Sequence, residues 1–538
     1  SIPFEIRNQA IEASVAQSGA TDGSAIIPLS LQGDGGMLDL FLGSSIVPLI
    51  VAPAERVLSQ DRLPFVENAA SRLTLATALQ ELSTLTKQRT TIDLPAEARA
   101  DIAAIAERKR ADGGIAPWPE AKSDALVTAY AARALAAAQR ADMHVDAGLL
   151  TSLHAYLAAV LANPAKASCE TAACKTFLRF AVLTALSDLG DTRSDFIADI
   201  YAQRDSLSFS DRARLARYLI ALPGWSSAGE SLARKLSENL YLTARNSTAN
   251  AGPAWSWYGS SAQAEMLELL VARHAPADQL DNIVRTLSTN HCSCPFINTY
   301  TTARNVTALL AYAQSQPRAS NFTARAVIDG KVIASAAFTG SAAPAKRVRV
   351  AAADLRKGAL QISKQGTGTL HYVVNYTYQL RGGQPGALRG LRITRFVRAA
   401  NLDPILVQMG LQGPAANPSL AASQVFDIGL EVITDHPVDH VMITDPLPAG
   451  LEAVDTTFKT STPSLAAKSD SWQIDYQTIY KDRIFAFADH LSPGVFAMHY
   501  LVRSVTPGTY AWPGATAHLQ FAPEEFGRTA STTLTITP

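Results

Sequence analysis

The sequence predicts a helical domain inserted between two β-rich flanks and followed by a further β unit. Between positions 53 and 317 the chain is rich in Ala and Leu, and its apolar residues recur at helical spacing. The segment Ala125–Leu135, for example, has few β-branched residues and neither Gly nor Pro. Before and after this block, Ile2–Arg7 and Arg347–Val350 alternate apolar and polar residues as strands do.

The insertion follows from the small number of strands in the first flank. Residues 1–52 contain three or four strand-like runs, which is too few for an independent domain. We therefore expect 1–52 and 318–397 to be two halves of one β domain, through which the helical block 53–317 is looped. Residues 398–538 carry further strand-like runs separated by Gly or Pro turns, which is typical of a β-sandwich.

Two loops inside the helical block predict how its helices are arranged. Asp112–Pro119 and Ala254–Gly259 are short loops containing aromatic residues, and each precedes a helical segment. Pro95 fits the first turn of one helix, and Ser123 or Asp124 can cap another. Aromatic loops between helices of similar length suggest an α/α toroid, in which helical hairpins stack in a ring.

Composition and charge exclude several classes of protein. Of 538 residues, 47% are hydrophobic and 17% are charged, which indicates a globular chain rather than a disordered one. Lys plus Arg and Asp plus Glu both number 47, so no global field attracts nucleic acid. No run reaches the roughly 18–20 apolar residues that a membrane span needs. The chain opens on Ser1 without a signal peptide, and we expect it to be a processed segment of a larger protein.

The four cysteines form two close pairs, Cys169 with Cys174 and Cys292 with Cys294. Zinc sites favour two to four residues between paired thiolates. Cys169 and Cys174 have no second pair at matching spacing, and Cys292 and Cys294 are too close together. We favour a disulfide formed in an oxidising compartment, most simply between Cys169 and Cys174, with buried free thiols as the alternative. The even number of cysteines points to export.

No catalytic or metal motif stands out. His-Glu-x-x-His, the nucleophile elbow, the phosphate loop and the dinucleotide fingerprint are all absent. His436 and His440 lie close together, but Pro437 denies them a common helix, and we expect a turn between strands there. Helical toroids also host glycosidases, yet the block is poor in close acidic pairs. The sequence therefore predicts a protein that is not an enzyme and holds neither metal nor cofactor.

Several motifs, taken in order, resemble the C-terminal part of the bacterial alpha-2-macroglobulin family. They are Asp112-Gly113-Gly114 with Trp118 and Thr128-Ala129-Tyr130, Tyr258-Gly259, Thr301–Arg304, Asp445–Glu452, Lys481-Asp482-Arg483, Tyr500–Tyr510 and Ala522–Arg528. The resemblance implies an α/α toroid of the thioester-domain type inserted into a CUB-like β-sandwich. It also implies a second, C-terminal β-sandwich of the macroglobulin or receptor-binding type.

The chain departs from the family at the reactive segment. That segment resembles Tyr-Pro-Tyr-Gly-Cys-Leu-Glu-Gln followed by Ser-Arg, and an internal thioester joins its Cys and Gln. Aligned on Ser71-Arg72, this chain has Phe65 at the Cys position and Asn68 at the Gln position. Aligned on Pro64 instead, two residues are missing, and the Cys is lost with them. Phe65, Val66, Glu67 and Asn68 therefore mark a vestigial site, with Phe65 expected to pack as an ordinary apolar residue. The chain resembles a thioester-less member.

The resemblance implies two functional hypotheses. The first is a periplasmic protease inhibitor that traps proteases sterically once they cut a bait region, which we expect to lie outside these 538 residues. The second is a non-inhibitory envelope protein that binds other periplasmic proteins. Apart from the resemblance, a carbohydrate-active enzyme on a helical toroid is a distant third hypothesis. Proteases are the expected partners and nucleic acid is not. A membrane anchor in the missing N-terminal part stays open.

Overall fold

The computed structural model describes residues 12–29, 33–167, 169, 171–243, 261–289, 296–315, 319–340, 343–351, 359–380, 383–400, 402–454 and 470–538. The α-helices are Val47–Leu58 (α1), Val66–Thr86 (α2), Leu94–Glu107 (α3), Ala125–Arg140 (α4), Ala147–Ala162 (α5), Ala172–Asp188 (α6), Ile197–Ala202 (α7), Phe209–Ala221 (α8), Ser226–Thr243 (α9), Ala262–Ala272 (α10), Ala277–Thr289 (α11) and Thr299–Ser315 (α12). Strands precede and follow this helical block.

The strands fall into two groups. Before the helices lie Glu12–Thr21 (β1), Ser24–Pro28 (β2) and Gly33–Gly43 (β3). After the helices come Ser320–Ile328 (β4), Lys331–Gly340 (β5), Lys346–Ala351 (β6), Ala359–Thr367 (β7), Leu370–Leu380 (β8), Ala387–Arg389 (β9), Arg392–Ala399 (β10), Ile405–Met409 (β11), Ser419–Ala421 (β12), Val425–Thr434 (β13), Val438–Pro446 (β14), Leu451–Val454 (β15), Tyr476–Ile479 (β16), Arg483–Leu491 (β17), Gly494–Ser504 (β18), Gly508–Trp512 (β19), Thr516–Leu519 (β20), Phe526–Arg528 (β21) and Thr532–Thr537 (β22).

Polar caps and prolines fix where several helices begin. The Asp124 side chain accepts a hydrogen bond from the Val127 N–H at the start of α4, as the sequence predicts. Asp93 caps α3 in the same way, and Pro95 occupies its first turn. Pro48 lies in the first turn of α1, where a missing N–H costs little. These local signals are readable without tertiary structure.

The even-numbered helices pack in a closed order. In sequence, α2 contacts α4, α4 contacts α6, α6 contacts α8, α8 contacts α10 and α10 contacts α12, and α12 returns to contact α2. The odd-numbered helices α3, α5, α9 and α11 are not part of this closed order, and each packs on a helix adjacent to it in sequence. A continuous core of buried apolar residues runs through the block from Ile46 to Tyr312. The last long helix therefore closes the arrangement on the first.

A cluster of buried charges lies between α8, α10 and α12. Glu265 on α10 is 2.7 Å from an Arg214 nitrogen and 2.9 Å from an Arg304 nitrogen, and Arg304 also lies 2.8 Å from Glu268. Burial alone would raise the pKa of Glu265, but the surrounding arginines hold it far below its usual range. These two glutamates form the close acidic pair that the sequence analysis did not find in the block, and arginines neutralise both.

The strands on either side of the helical block share two sheets. One sheet has the order β1-β8-β3-β6 and the other has the order β2-β7-β4-β5, so each mixes strands from before and after the helices. Leu38 and Leu40 of the first sheet pack in one core with Phe322 and Ile362 of the second. The helical block thus departs from β3 and returns at β4 of a single two-sheet unit.

The C-terminal unit consists of three sheets around one core. Their orders are β11-β10-β13-β18-β15, β12-β22-β19 and β16-β17-β14-β20-β21-β9. Fully buried Arg395 of β10 forms an ion pair with Asp445 of β14, and Tyr500 donates a 2.6 Å hydrogen bond to the same carboxylate. An interior charge of this kind requires such pairing.

Two expected domain boundaries differ from the observed elements. The boundary at 52/53 falls inside α1, because proline at position 48 begins this helix and Pro53 lies within it. The boundary at 397/398 falls inside β10, which pairs with β11 and β13 of the C-terminal unit and not with the flanking β unit. Alternation identified a strand here, but only hydrogen bonding decides which sheet a strand joins. Among the described residues, no helix combines the length and apolar character needed to cross a membrane.

Candidate functional site

The segment 65–68 begins helix α2. Phe65 has extended backbone angles and is the last residue before the helix, while Val66, Glu67 and Asn68 form its first turn. The Val66 N–H donates to the Pro117 carbonyl oxygen at 3.0 Å, which joins the segment to the Asp112–Pro119 loop. Each of the four side chains is at most 5% exposed. The segment is therefore an interior element and not a surface loop.

The Phe65 ring lies in an aromatic cluster shared with the C-terminal unit. Its centroid is 4.8 Å from that of Phe487 and 5.8 Å from that of Phe485, both on β17. Trp118 of the Asp112–Pro119 loop completes the cluster, with its ring centroid 6.5 Å from that of Phe65. Met442 of β14 packs in the same cluster. Edge-to-face contacts of this kind add to the free energy gained by burying the rings. Phe65 is thus one of several aromatic side chains packed between the helical block and the C-terminal unit.

Glu67 joins the helical block to the C-terminal unit. Its carboxylate accepts hydrogen bonds from the Gln520 amide at 2.6 Å, from the Thr299 hydroxyl at 3.0 Å and from the Ser71 hydroxyl at 2.7 Å. Gln520 follows β20, whereas Ser71 and Thr299 lie on α2 and α12. Burial raises the pKa of Glu67, and the three donors oppose that increase. One buried carboxylate therefore connects three elements from two units.

Asn68 forms a hydrogen bond with the local backbone. Its side-chain oxygen accepts from the Leu63 N–H at 3.2 Å, closing the turn that leads into α2. The four cysteines of the chain are at positions 169, 174, 292 and 294, so segment 65–68 contains no sulfur. A bond between a thiol and an amide carbonyl cannot form within it.

The Ser71-Arg72 pair that follows the segment fixes α2 in the helical block. The Ser71 hydroxyl is 2.8 Å from the Tyr130 hydroxyl of α4. The fully buried Arg72 guanidinium donates to the Val57 carbonyl at 2.8 Å and the Leu58 carbonyl at 3.0 Å, at the end of α1. It also lies 2.6 Å from a Glu97 oxygen. Arg72 therefore satisfies the last carbonyls of α1 and places α2 beside it.

His440 belongs to the same interface. The sequence predicts that this residue lies in a turn between strands. The turn between β13 and β14 is confined to residues 435–437, so His440 lies within β14 and not in the turn. Its backbone is left-handed, with φ of 55°, which is costly for a residue with a Cβ. The ring packs edge-on against Phe521 at 5.0 Å, and its Nδ1 is 3.1 Å from Asp489.

Further contacts extend the interface on both sides of Glu67. The Phe296 ring stacks on His518 of β20 at 3.8 Å, and burial lowers the pKa of His518 to about 3. The Asn298 amide donates to the Phe521 carbonyl at 2.9 Å, and Arg483 is 2.7 Å from Asp61. Sequence reasoning missed this surface because its members are scattered over 460 positions of the chain and share no motif.

The remaining candidate residues lie elsewhere. Cys169 and Cys174 form a disulfide that ties the chain two residues before Thr171 to the first turn of α6. Cys292 and Cys294, together with Tyr258-Gly259, lie outside the described residues. Within the described part of the chain, no group of His, Cys, Asp and Glu is arranged to hold a metal ion.

Comparison with known proteins identifies the class to which this arrangement belongs. Residues 390–524 match the family model of the bacterial alpha-2-macroglobulin MG10 domain. The native alpha-2-macroglobulin of Escherichia coli, in a crystal structure spanning domain MG7 to the C-terminus, superposes with a TM-score of 0.77 at 17% identity, covering 98% of this chain and 82% of that one. Salmonella alpha-2-macroglobulin reacted with methylamine superposes with a TM-score of 0.75 at 20% identity, covering 99% of this chain and 34% of that one. The chain thus has the fold of the C-terminal region of these proteins.

A sequence relative makes the assignment specific. The chain is 41% identical over 548 aligned residues to the alpha-2-macroglobulin homolog of Nostoc sp. (strain PCC 7120), covering 99% of this chain and 29% of that protein. The chain belongs to the bacterial alpha-2-macroglobulin family, as its motifs indicate. It spans less than a third of the length of this curated relative.

Proposed function

We propose that the chain is the C-terminal part of an alpha-2-macroglobulin that traps proteases sterically and forms no covalent bond with them. The observation that carries this proposal is Phe65, which the family motif aligns with the reactive thiol, in a chain 41% identical to an alpha-2-macroglobulin homolog. In the family, a protease cuts a bait region and the resulting conformational change encloses it. Such a trap needs a change between two conformations, whereas the thioester adds only covalent capture.

The environment of Phe65 supports a structural role for segment 65–68. A thioester site must become accessible to nucleophiles once the protein is activated. Here the thiol position is packed against Phe485 and Phe487, and Glu67 holds Gln520 of the C-terminal unit. We infer that this segment attaches the helical block to the C-terminal unit by packing and hydrogen bonds alone.

We further infer the finer architecture and the location. The closed order of the even-numbered helices supports an α/α toroid for the helical block. The two sheets shared by the flanking strands support a CUB-like domain, and the three sheets of the C-terminal unit support a β-sandwich of the receptor-binding type. The Cys169–Cys174 disulfide supports an oxidising compartment, which for a bacterial envelope protein is the periplasm.

The experiment that tests the proposal uses the full-length protein and two substrate sizes. The protein is incubated with a general serine protease, and cleavage of a large protein substrate is compared with cleavage of a short chromogenic peptide. We expect cleavage of the large substrate to be hindered and cleavage of the peptide to be spared, because a steric cage leaves the protease active site free. Residues 1–538 alone should protect neither substrate. Pretreatment with methylamine should change neither the inhibition nor the intact mass.

Three outcomes would contradict the proposal. Equal inhibition of both substrates would indicate blockade of the active site. A mass gain of one methylamine with release of a thiol would show a reactive thioester. Inhibition of neither substrate would favour the alternative, an envelope protein that binds other periplasmic proteins.

A further inference from the structure

A cavity of about 300 Å³ lies where helix α1 packs on the outer face of the β1-β8-β3-β6 sheet. Its floor is a row of three side chains, because Asp39 of β3 is directly opposite Arg349 of β6 on one side and Asn375 of β8 on the other. Residues directly opposite each other in antiparallel strands share a face of the sheet. Glu55 and Arg56 of α1 form the facing wall.

The cavity lining carries an excess of positive charge. Three guanidinium groups and two carboxylates line it: Arg56, Arg347 and Arg349 against Asp39 and Glu55. Arg347 is shared by both carboxylates, with hydrogen bonds of 2.8 Å to Asp39 and 2.5 Å to Glu55. These five side chains give the lining a formal net charge of +1 in a partly desolvated space, where electrostatic attraction is stronger than in water.

Arg349 is placed to bind a ligand in this cavity. Its side chain is 51% exposed, and its Nε lies 3.5 Å from Asp39, which Arg347 already engages. The amide of Asn375 adds neutral hydrogen-bond donors from the neighbouring strand, whereas the Thr377 hydroxyl in the same lining donates to the Met37 carbonyl. Burial lowers the pKa of Arg56, so a bound anion would also offset the cost of keeping that guanidinium charged.

We propose that this cavity, the Arg349 pocket, binds a phosphoryl group, either as free phosphate or on a small phosphate monoester. The planar guanidinium fork matches two phosphate oxygens, which is why arginine is favoured wherever phosphate is bound. The volume is at the lower end of the range for small-molecule sites. Since its walls come from both the helical block and the β unit, an occupant would strengthen their contact. The site is independent of segment 65–68 and of protease trapping.

The test measures phosphate binding to the 538-residue chain by isothermal titration and by the thermal unfolding midpoint. Sodium phosphate and glycerol 3-phosphate are compared with sodium chloride at matched ionic strength. We expect saturable binding and a higher unfolding midpoint with at least one of the two phosphates. Stronger binding of inorganic phosphate would assign the free ion, and stronger binding of glycerol 3-phosphate would assign the monoester.

Variants locate the binding. Arg349→Gln should weaken it at least tenfold, Arg349→Lys should retain part of it, and Arg56→Gln should also weaken it. Arg503→Gln, which removes an exposed arginine from β18 of the C-terminal unit, is the matched control and should bind as the wild type does. Absence of saturable binding to either phosphate overturns the proposal. Binding that Arg349→Gln and Arg56→Gln leave unchanged overturns it equally.

Discussion

Glu67 connects the helical block to the C-terminal unit through a single buried side chain. Its carboxylate is enclosed by the α2 and α12 helices and by Gln520, and it accepts hydrogen bonds from all three. His440, on the neighbouring strand of the C-terminal unit, contributes a favourable electrostatic interaction. An ionised carboxylate with several donors can be accommodated in a protein interior, but it still bears a desolvation cost.

Replacing Glu67 by Gln should flatten the pH dependence of stability. Burial raises the folded-state pKa of Glu67 above its ordinary value of 4.5, so the unfolded chain loses this proton at lower pH than the folded chain does. The free energy of unfolding therefore falls as pH rises from about 4.5 towards the raised value. Glu67→Gln lacks this titration, and urea unfolding between pH 4 and 8 should show a shallower decline than in the wild type.

Two further variants define the role of Glu67. Glu67→Ala leaves the Gln520 amide and two hydroxyls without their acceptor and should cost roughly 2–4 kcal/mol of stability. Glu81→Gln changes an exposed carboxylate on the same helix and should match the wild type at every pH. An unchanged pH slope in Glu67→Gln would mean that Glu67 does not titrate differently in the folded state.

At the scale of elements, the start of helix α6 combines two local devices. The Thr171 side chain accepts from the Cys174 N–H and caps the helix, and the disulfide joins Cys174 back to Cys169. Cys169 is 1% exposed and packs in the main helical core. The bond therefore fixes the chain that enters α6 against the block, at an end where α-helices otherwise fray.

Removing this disulfide should cost about 2 kcal/mol, which is what the loop-entropy estimate gives for so short a loop. The double variant Cys169→Ala/Cys174→Ala and reduced wild-type protein should lose similar amounts in urea unfolding. Thiols are counted in exported protein under denaturing conditions without reductant. Four free thiols would refute the disulfide, and two or none would be consistent with it.

At the scale of the whole molecule, the helical block bridges two β units. On one side of the block, Arg347 of β6 forms an ion pair with Glu55 of α1. On the other side, Glu67 of α2 accepts a hydrogen bond from Gln520. The two junctions therefore lie on consecutive helices, which Arg72 fastens together through the end of α1. Helices α1 and α2 therefore provide one route along which displacement of one β unit would be felt at the other.

Excising the helical block should leave the first β unit folded. Residues 12–380 without 47–315, joined by a short Gly/Ser linker, retain both four-stranded sheets, since β3 and β4 flank the excision. Phe41 and Val373 pack in the helical core and would become exposed, so a second version carries Phe41→Thr and Val373→Thr. We expect β-type circular dichroism and protected amides in the second version. Unprotected amides in both versions would show that the sheets depend on the helices.

The sequence by itself determined the elements and the family of this protein. Apolar spacing identified the helical block, Asp124 and Pro95 marked where helices begin, and the motifs from Asp112 to Arg528 carried the relationship to the bacterial alpha-2-macroglobulins. The alignment of Phe65 with the family's reactive cysteine also comes from the sequence alone and stays a prediction. These features depend on residue type and short-range spacing, which local physical chemistry interprets directly.

Only the tertiary structure decided which surfaces meet. Strand β10 has the alternation of any strand, yet its hydrogen bonds assign it to the C-terminal unit. Glu67 and Gln520 are 453 positions apart, and His440 adopts a left-handed backbone that its residue type does not favour. Such contacts depend on how distant elements pack, and packing is set by the sum of many weak interactions that no single stretch of sequence contains.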